Sequence, residues 1–166
     1  RNRTLIHGGI KMQAETIKQL ELFNQYIKDL NSIYRHAASI CGVSDNEFWV
    51  WYTLLGSDNE VSQQEICEMW SLPKQTVNSV ISNLKRKGYV SLEVVPGTRN
   101  RKIIHLSESG RAYGEKIVIH IYEAEVGALS KFSEKERAQW VGLMEKYVAM
   151  FREEMNEKCF KSDSKE

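Results

Sequence analysis

The stretch from Ser71 to Leu106 constrains the fold more than any other part of the chain. It reads SLPKQTVNSVISNLKRKGYVSLEVVPGTRNRKIIHL. Val77, Val80, Ile81 and Leu84 recur at i, i+3, i+4 and i+7, the spacing of one buried helix stripe. Gly88 closes that helix, and Val90, Leu92 and Val94 then alternate with Ser91 and Glu93, the period of a half-buried strand. Pro96-Gly97-Thr98-Arg99-Asn100 forms a turn, and Lys102–Leu106 returns as a second strand. A helix followed by a hairpin is one unit, and it holds seven basic residues (Lys74, Lys85, Arg86, Lys87, Arg99, Arg101, Lys102) against one acid, Glu93. The whole chain is only +1, so a near-neutral protein gathers its positive charge here, as a nucleic-acid contact requires.

Capping boxes punctuate the rest. Glu15 to about Cys41 reads as one long helix, with Leu20, Phe23, Ile27, Leu30, Tyr34, Ala37 and Cys41 on a single stripe and Gly42 as its stop. Ser44-Asp45-Asn46-Glu47 opens a helix from Asp45 to about Leu55, and Ser62-Gln63-Gln64-Glu65 opens a short one to about Trp70. The next helix starts near Pro73. Met69-Trp70-Ser71-Leu72 is thus the turn of a helix-turn-helix, and the hairpin behind it makes a winged helix. Ser107 caps a further helix to about Leu129, which Gly110, Gly114 and Gly127 weaken slightly. Ser133-Glu134-Lys135-Glu136 opens the last helix, to about Lys158.

The expected organisation is mainly α with a small β-hairpin. Residues 1–11 read as a vector-derived leader or disordered segment, with Met12 a candidate start. Residues 12–42 form a dimerisation helix, 43–106 the winged helix-turn-helix, 107–158 further dimerisation helices, and 159–166 a frayed tail. The dimer follows from long helices whose apolar stripes need a partner surface. In the last helix the stripe is Trp140, Leu143/Met144, Tyr147, Met150/Phe151 and Met155, and in the preceding one Tyr113, Ile117, Ile121, Ala124/Glu125 and Ala128. An ordinary bundle within one chain is the alternative.

On the second helix of the turn motif, the face opposite the apolar stripe centres on Gln75, Ser79, Ser82 and Arg86, flanked by Thr76, Asn78 and Asn83, with Lys74 at its start. Amide side chains pair with adenine edges, hydroxyls with several bases and arginine with guanine, so this face suits readout in a major groove. Arg99, Arg101 and Lys102 in the wing would clamp phosphates or enter a minor groove. The helix N-terminus at Ser62 offers backbone N–H groups to a phosphate.

Other chemistry is poorly supported. No Gly-rich phosphate loop, nucleophile elbow or carboxylate pair is readable, so no enzyme, cofactor or catalytic residue is expected. Three widely spaced cysteines (Cys41, Cys67, Cys159) suit a reducing cytoplasm, and a cysteine-based redox response is an alternative. His36, His105 and His120 stand singly, without metal-ligand spacing. No apolar run approaches the roughly 20 residues needed to cross a bilayer. A second reading keeps the winged helix but gives its basic face an acidic protein partner. The uncharged reading face argues against that.

The segment SQQEICEMWSLPKQTVNSVISNLKRKGYVSLEVVPGTRNRKIIHLSESG resembles the winged-helix region of MarR-type (multiple-antibiotic-resistance repressor) transcription regulators. The resemblance spans Val61 to Gly110 and is most specific at Thr76–Val90 and Arg99–Gly110. It implies a homodimer whose first and last two helices interlock, two winged helices on a pseudo-palindromic operator, and repression relieved by a small effector. Family DNA contacts fall on Lys74, Gln75, Thr76, Asn78, Ser79 and Asn83, and the wing-tip arginine on Arg99. Thr98 and Asn100 replace the acid and the base that often flank that arginine, and Ser79 stands where a basic residue is frequent. In such proteins small aromatic ligands bind between the dimer helices and the winged helix, where Tyr26, Tyr34, His36, Trp49 and Tyr52 would form a candidate effector pocket.

Overall fold

The computed structural model describes residues 14–57, 60–98 and 101–160. The leader, the Asp58-Asn59 loop, Arg99-Asn100 and the tail 161–166 lie outside the described residues. The chain divides into two compact units, residues 1–121 and 122–166, with the boundary inside one helix.

The first unit begins with α1 (Ala14–Ile40), which Gly42 ends in the left-handed region at φ 70°. Helix α2 (Asp45–Gly56) follows, its first turn capped by Ser44, which accepts from Glu47 N–H. The reciprocal half of that box is replaced: Glu47 accepts instead from the Trp51 indole at 3.3 Å. Helix α2 is the centre of the core, with Phe48, Val50, Trp51, Thr53 and Leu54 all buried. Strand β1 (Val61–Ser62) leads into α3 (Gln63–Trp70), and α4 (Lys74–Arg86) follows. Pro73 sits one residue outside α4, at its N-cap, rather than within the first turn.

The wing strands are β2 (Val90–Val94) and β3 (Lys102–Leu106), antiparallel with Leu92 opposite Ile104. The sheet has three strands in the order β1-β3-β2, not two, because Val61 and Ser62 pair with Ile104 and Ile103. Along β2 only Val90 is buried; Leu92 is half-buried and Val94 is 56 % exposed, so the expected apolar face fades toward the turn. Phe48, Trp51, Ile66, Val77, Ile81 and Leu84 are fully buried together, each aliphatic side chain contributing about 1.5–3 kcal/mol by removal from water.

Helix α5 (Glu108–Leu129) starts at Ser107, whose hydroxyl accepts from Gly110 N–H and donates to the Gly88 carbonyl. Two of its glycines serve close approach, which corrects their reading as mere weak points. A Cβ on Gly110 would stand 2.0 Å from the Tyr89 carbonyl oxygen, and one on Gly114 2.5 Å from the Trp51 ring. Gly127 has open space around it.

In the second unit, α6 (Glu134–Met155) opens with a complete capping box between Ser133 and Glu136 and runs into a π-helical turn, Asn156–Phe160. No residue of α6 is buried. Trp140, Leu143, Met150 and Phe151 are each at least half exposed, and in the first unit α1 leaves Leu22, Tyr26, Ile33 and Ile40 exposed. Such long apolar faces are what a partner surface would cover.

Candidate nucleic-acid interface

The turn between α3 and α4 is rigidly built. Ser71 adopts φ 52° and ψ 37°, a left-handed conformation unusual outside glycine, and the Ser71 and Leu72 N–H groups both donate to the Cys67 carbonyl. The Trp70 indole donates to Thr53 Oγ1 at 2.6 Å, and that hydroxyl donates to the Trp49 carbonyl at 2.8 Å. Trp70 also stacks on Trp49 with ring centroids 4.0 Å apart. The end of α3, and so the start of α4, is therefore fixed to α2.

Helix α4 buries Val77, Ile81 and Leu84 completely, with Val80 half-buried. That fixes its rotation. Lys74, Gln75, Asn78, Ser79, Ser82 and Arg86 are exposed, while Thr76 and Asn83 are half-buried at the edges. Gln75, Ser79, Ser82 and Arg86, on which the sequence periodicity centres that face, are all exposed, and of the three flanking residues only Asn78 is. Asn83 and Arg86 are engaged with each other, the guanidinium donating to Asn83 Oδ1 at 2.8 Å. Two recesses flank this face. Gln63, Gln64, Cys67, Glu68, Lys74, Gln75 and Asn78 line one between α3 and the start of α4. Ser44, Glu47, Ser79, Ser82, Asn83 and Arg86 line the other, beside the start of α2.

Ser62 is placed differently from its expected role. It is 3 % exposed and fully occupied by its capping box: its hydroxyl donates to Glu65 Oε2 at 2.6 Å and accepts from Glu65 N–H at 3.3 Å. The Ser62 N–H donates to the same carboxylate oxygen at 2.7 Å. A carboxylate thus occupies the helix end where a phosphate was expected, and it disfavours a second anion there. The Ser62 hydroxyl and then the Ser62 backbone N–H hold the Glu65 carboxyl below its ordinary pKa; burial opposes them, and Arg101 adds a lesser lowering effect.

Arg101 is likewise engaged, its guanidinium donating to Glu65 Oε1 at 3.0 Å. Lys102 is exposed at the start of β3. Arg99, the expected wing-tip contact, lies outside the described residues. Thr98 locks the turn with an uncharged bond, its hydroxyl donating to the Val95 carbonyl at 2.8 Å. Sequence reading missed the Glu65–Arg101 pair and the tie from Trp70 to Thr53. Only the acid at the third position of the Ser62 capping box hinted at either.

Of the candidate effector residues, Tyr34, Trp49 and Tyr52 come together with Phe48 and Trp70. Tyr34 and Trp49 centroids are 4.9 Å apart, and Trp49 and Tyr52 5.6 Å. Tyr26 and His36 stay exposed on α1. Beside the cluster, Asn31, Tyr34, Arg35, Asp45, Phe48 and Trp49 line a recess of about 120 Å³, smaller than the roughly 300 Å³ and upward typical of small-molecule sites. Cys41 and Cys67 are half-buried thiols and Cys159 is exposed. Among the described residues no His, Cys, Asp or Glu group could hold a metal ion, and no helix is long and apolar enough to cross a membrane.

A helix-turn-helix followed by a three-stranded wing is the winged-helix fold. The family model described as MarR family matches residues 42–99, which run from the end of α1 into the wing turn. Solved structures of MarR family regulators share the fold over most of the chain. One from Neisseria meningitidis has a TM-score of 0.72 at 24 % identity, over 84 % of this chain and 97 % of its own. The S. aureus regulator MepR in its DNA-binding conformation has a TM-score of 0.67 at 20 % identity, over 80 % and 98 %. A MepR–DNA complex has a TM-score of 0.61 at 20 % identity, over 79 % and 96 %. No curated protein matches the chain. The resemblance to MarR-type regulators thus holds in sequence over residues 42–99 and in fold over most of the chain.

Proposed function

We propose that this protein is a sequence-specific DNA-binding transcriptional regulator that reads a pseudo-palindromic operator as a homodimer. The observation that carries this reading is the solvent face of α4. A helix fixed by three fully buried residues presents Gln75, Asn78, Ser79 and Ser82, neutral groups able to pair with base edges, between Lys74 at one end and Arg86 at the other. A face that was only solvated would more usually carry Glu/Lys pairs. The likeness to a MepR–DNA complex supports the same reading. The exposed apolar faces of α1 and of α6 each support the dimer, because an apolar helix face of that length calls for a covering partner.

Such a dimer would act by steric repression and release. Two α4 helices held by a dimer must match two half-sites about one helical turn apart. A small aromatic effector lodged by Trp49 and Tyr52 would disturb α2 and, through the Trp49–Trp70 stack, the start of α4. Such a ligand releases DNA only if it binds the non-DNA geometry more tightly.

The test is affinity for duplex DNA as a function of salt, using fragments selected from random sequence. The expected result is a steep loss of affinity with salt, a large preference for one sequence, and two symmetry-related half-sites in the selected fragments. Failure to bind any duplex at low salt would overturn the reading.

A further inference from the structure

One carboxylate joins three elements at the base of the wing. Glu65 Oε2 accepts from both the N–H and the hydroxyl of Ser62, at 2.7 and 2.6 Å. Its other oxygen accepts from the Arg101 guanidinium at 3.0 Å. Ser62 pairs with Ile103 in the sheet, so the start of α3, strand β1 and the entry to β3 meet at this group. Arg101 in turn closes the wing: its carbonyl accepts from the Val95 N–H at 3.0 Å, across the base of the turn. A continuous chain of bonds therefore runs from the first turn of α3 through Glu65 and Arg101 to the end of β2.

We propose that Glu65 is a positioning residue for the wing, and that Arg101 serves as its internal tie rather than as a phosphate contact. The inference rests on the DNA-binding reading above. Electrostatics favour it. With Arg101 held at 3.0 Å, the pair presents no net charge, whereas a guanidinium turned toward phosphate would leave a bare carboxylate near the DNA face. The carboxylate's oxygens are already shared among three donors, so Glu65 cannot follow Arg101 away. Both side chains are about half exposed, where an isolated ion pair adds little stability. Its effect is on orientation, and it fixes which cations remain for DNA.

The test compares the full chain with Glu65→Gln, Arg101→Gln and the double variant. Glutamine keeps an acceptor for the Ser62 N–H, so the capping box and α3 persist. Amide exchange of Val95 is followed in DNA-free protein, and anisotropy of a labelled duplex is followed across salt. The expected result is that each single variant speeds Val95 exchange severalfold and the double variant does no more. On DNA, all three lose the same fraction of sequence preference, and the salt slope of Arg101→Gln stays at that of the parent. Unchanged Val95 exchange in both single variants overturns the proposal. So does a salt slope reduced by about 0.9 in Arg101→Gln, the decrement of one lost phosphate contact. If the parent binds no duplex at all, the DNA reading fails, and Val95 exchange alone decides whether Glu65 positions the wing.

Discussion

Replacing Gly110 with alanine tests how α5 is seated on the wing. On helix propensity alone, the change should stabilise by about 0.8–1 kcal/mol. The structure reverses the sign. The new Cβ would lie 2.0 Å from the Tyr89 carbonyl oxygen and 2.8 Å from its carbonyl carbon. Real contacts essentially never fall below 3.0 Å, so the two backbones must part by about 1.0 Å. Neither is the free end of a flexible side chain. The same separation stretches the Ser107 N–H bond to the Tyr89 carbonyl, now 3.0 Å, and the Ser107 hydroxyl bond to Gly88, now 2.8 Å. Over-packing costs about 1–3 kcal/mol, and a weakened hydrogen bond about 0.5–1.5 kcal/mol. After the propensity gain, a net loss of about 2 kcal/mol remains, or a fall in Tm of roughly 4–8 °C for a chain of this size. Gly127→Ala, on the same helix with nothing within 4 Å, isolates the propensity term and should raise the midpoint slightly. Thermal unfolding of the two variants beside the parent decides the matter. A midpoint for Gly110→Ala equal to or above the parent's would refute the contact and with it the seating of α5.

Other perturbations give equally definite expectations. Gln75→Ala or Asn78→Ala should relax preference at particular base pairs by about 1–3 kcal/mol each, read from a panel of single-site operator variants; equal weakening on all sequences would count against direct readout. Trp70→Phe strips the Thr53 hydroxyl of its indole donor and should cost about 1–3 kcal/mol in urea unfolding, because Thr53 is buried. Leu143→Glu on the exposed face of α6 should shift sedimentation equilibrium from dimer to monomer, and an unchanged mass would place the interface elsewhere. Glu65 has a folded pKa below its ordinary value of 4.5, so it contributes stability above that pH and loses it as acidification passes through the lowered value; Glu65→Gln should flatten the acid limb of a stability–pH curve.

What was legible in the sequence was local. Helix starts at Asp45, Gln63 and Glu134 fall where serine caps place them, because a cap is a bond between residues three apart. The solvent face of α4 follows from one period of 3.6 and one apolar stripe. What was hidden is non-local. Strand β1 has only two residues, too few for any alternation, and exists because β3 is there to pair with it. Glu65 and Arg101 are 36 residues apart, and Trp70 and Thr53 17 apart, so no spacing rule links either pair. Gly110 and Gly114 look like helix weaknesses until Tyr89 and Trp51 are placed against them. The same distinction bears on function. The groups that periodicity places on the solvent face of α4 are exposed, whereas Ser62 and Arg101, which only their chemistry marks as contacts, are already bonded to Glu65. A basic residue near a DNA face is therefore a candidate contact only after its internal partners are counted. Here that count leaves Lys74, Lys85, Lys87 and Lys102 as exposed cations of the helix and wing, and finds Arg101 bonded to Glu65.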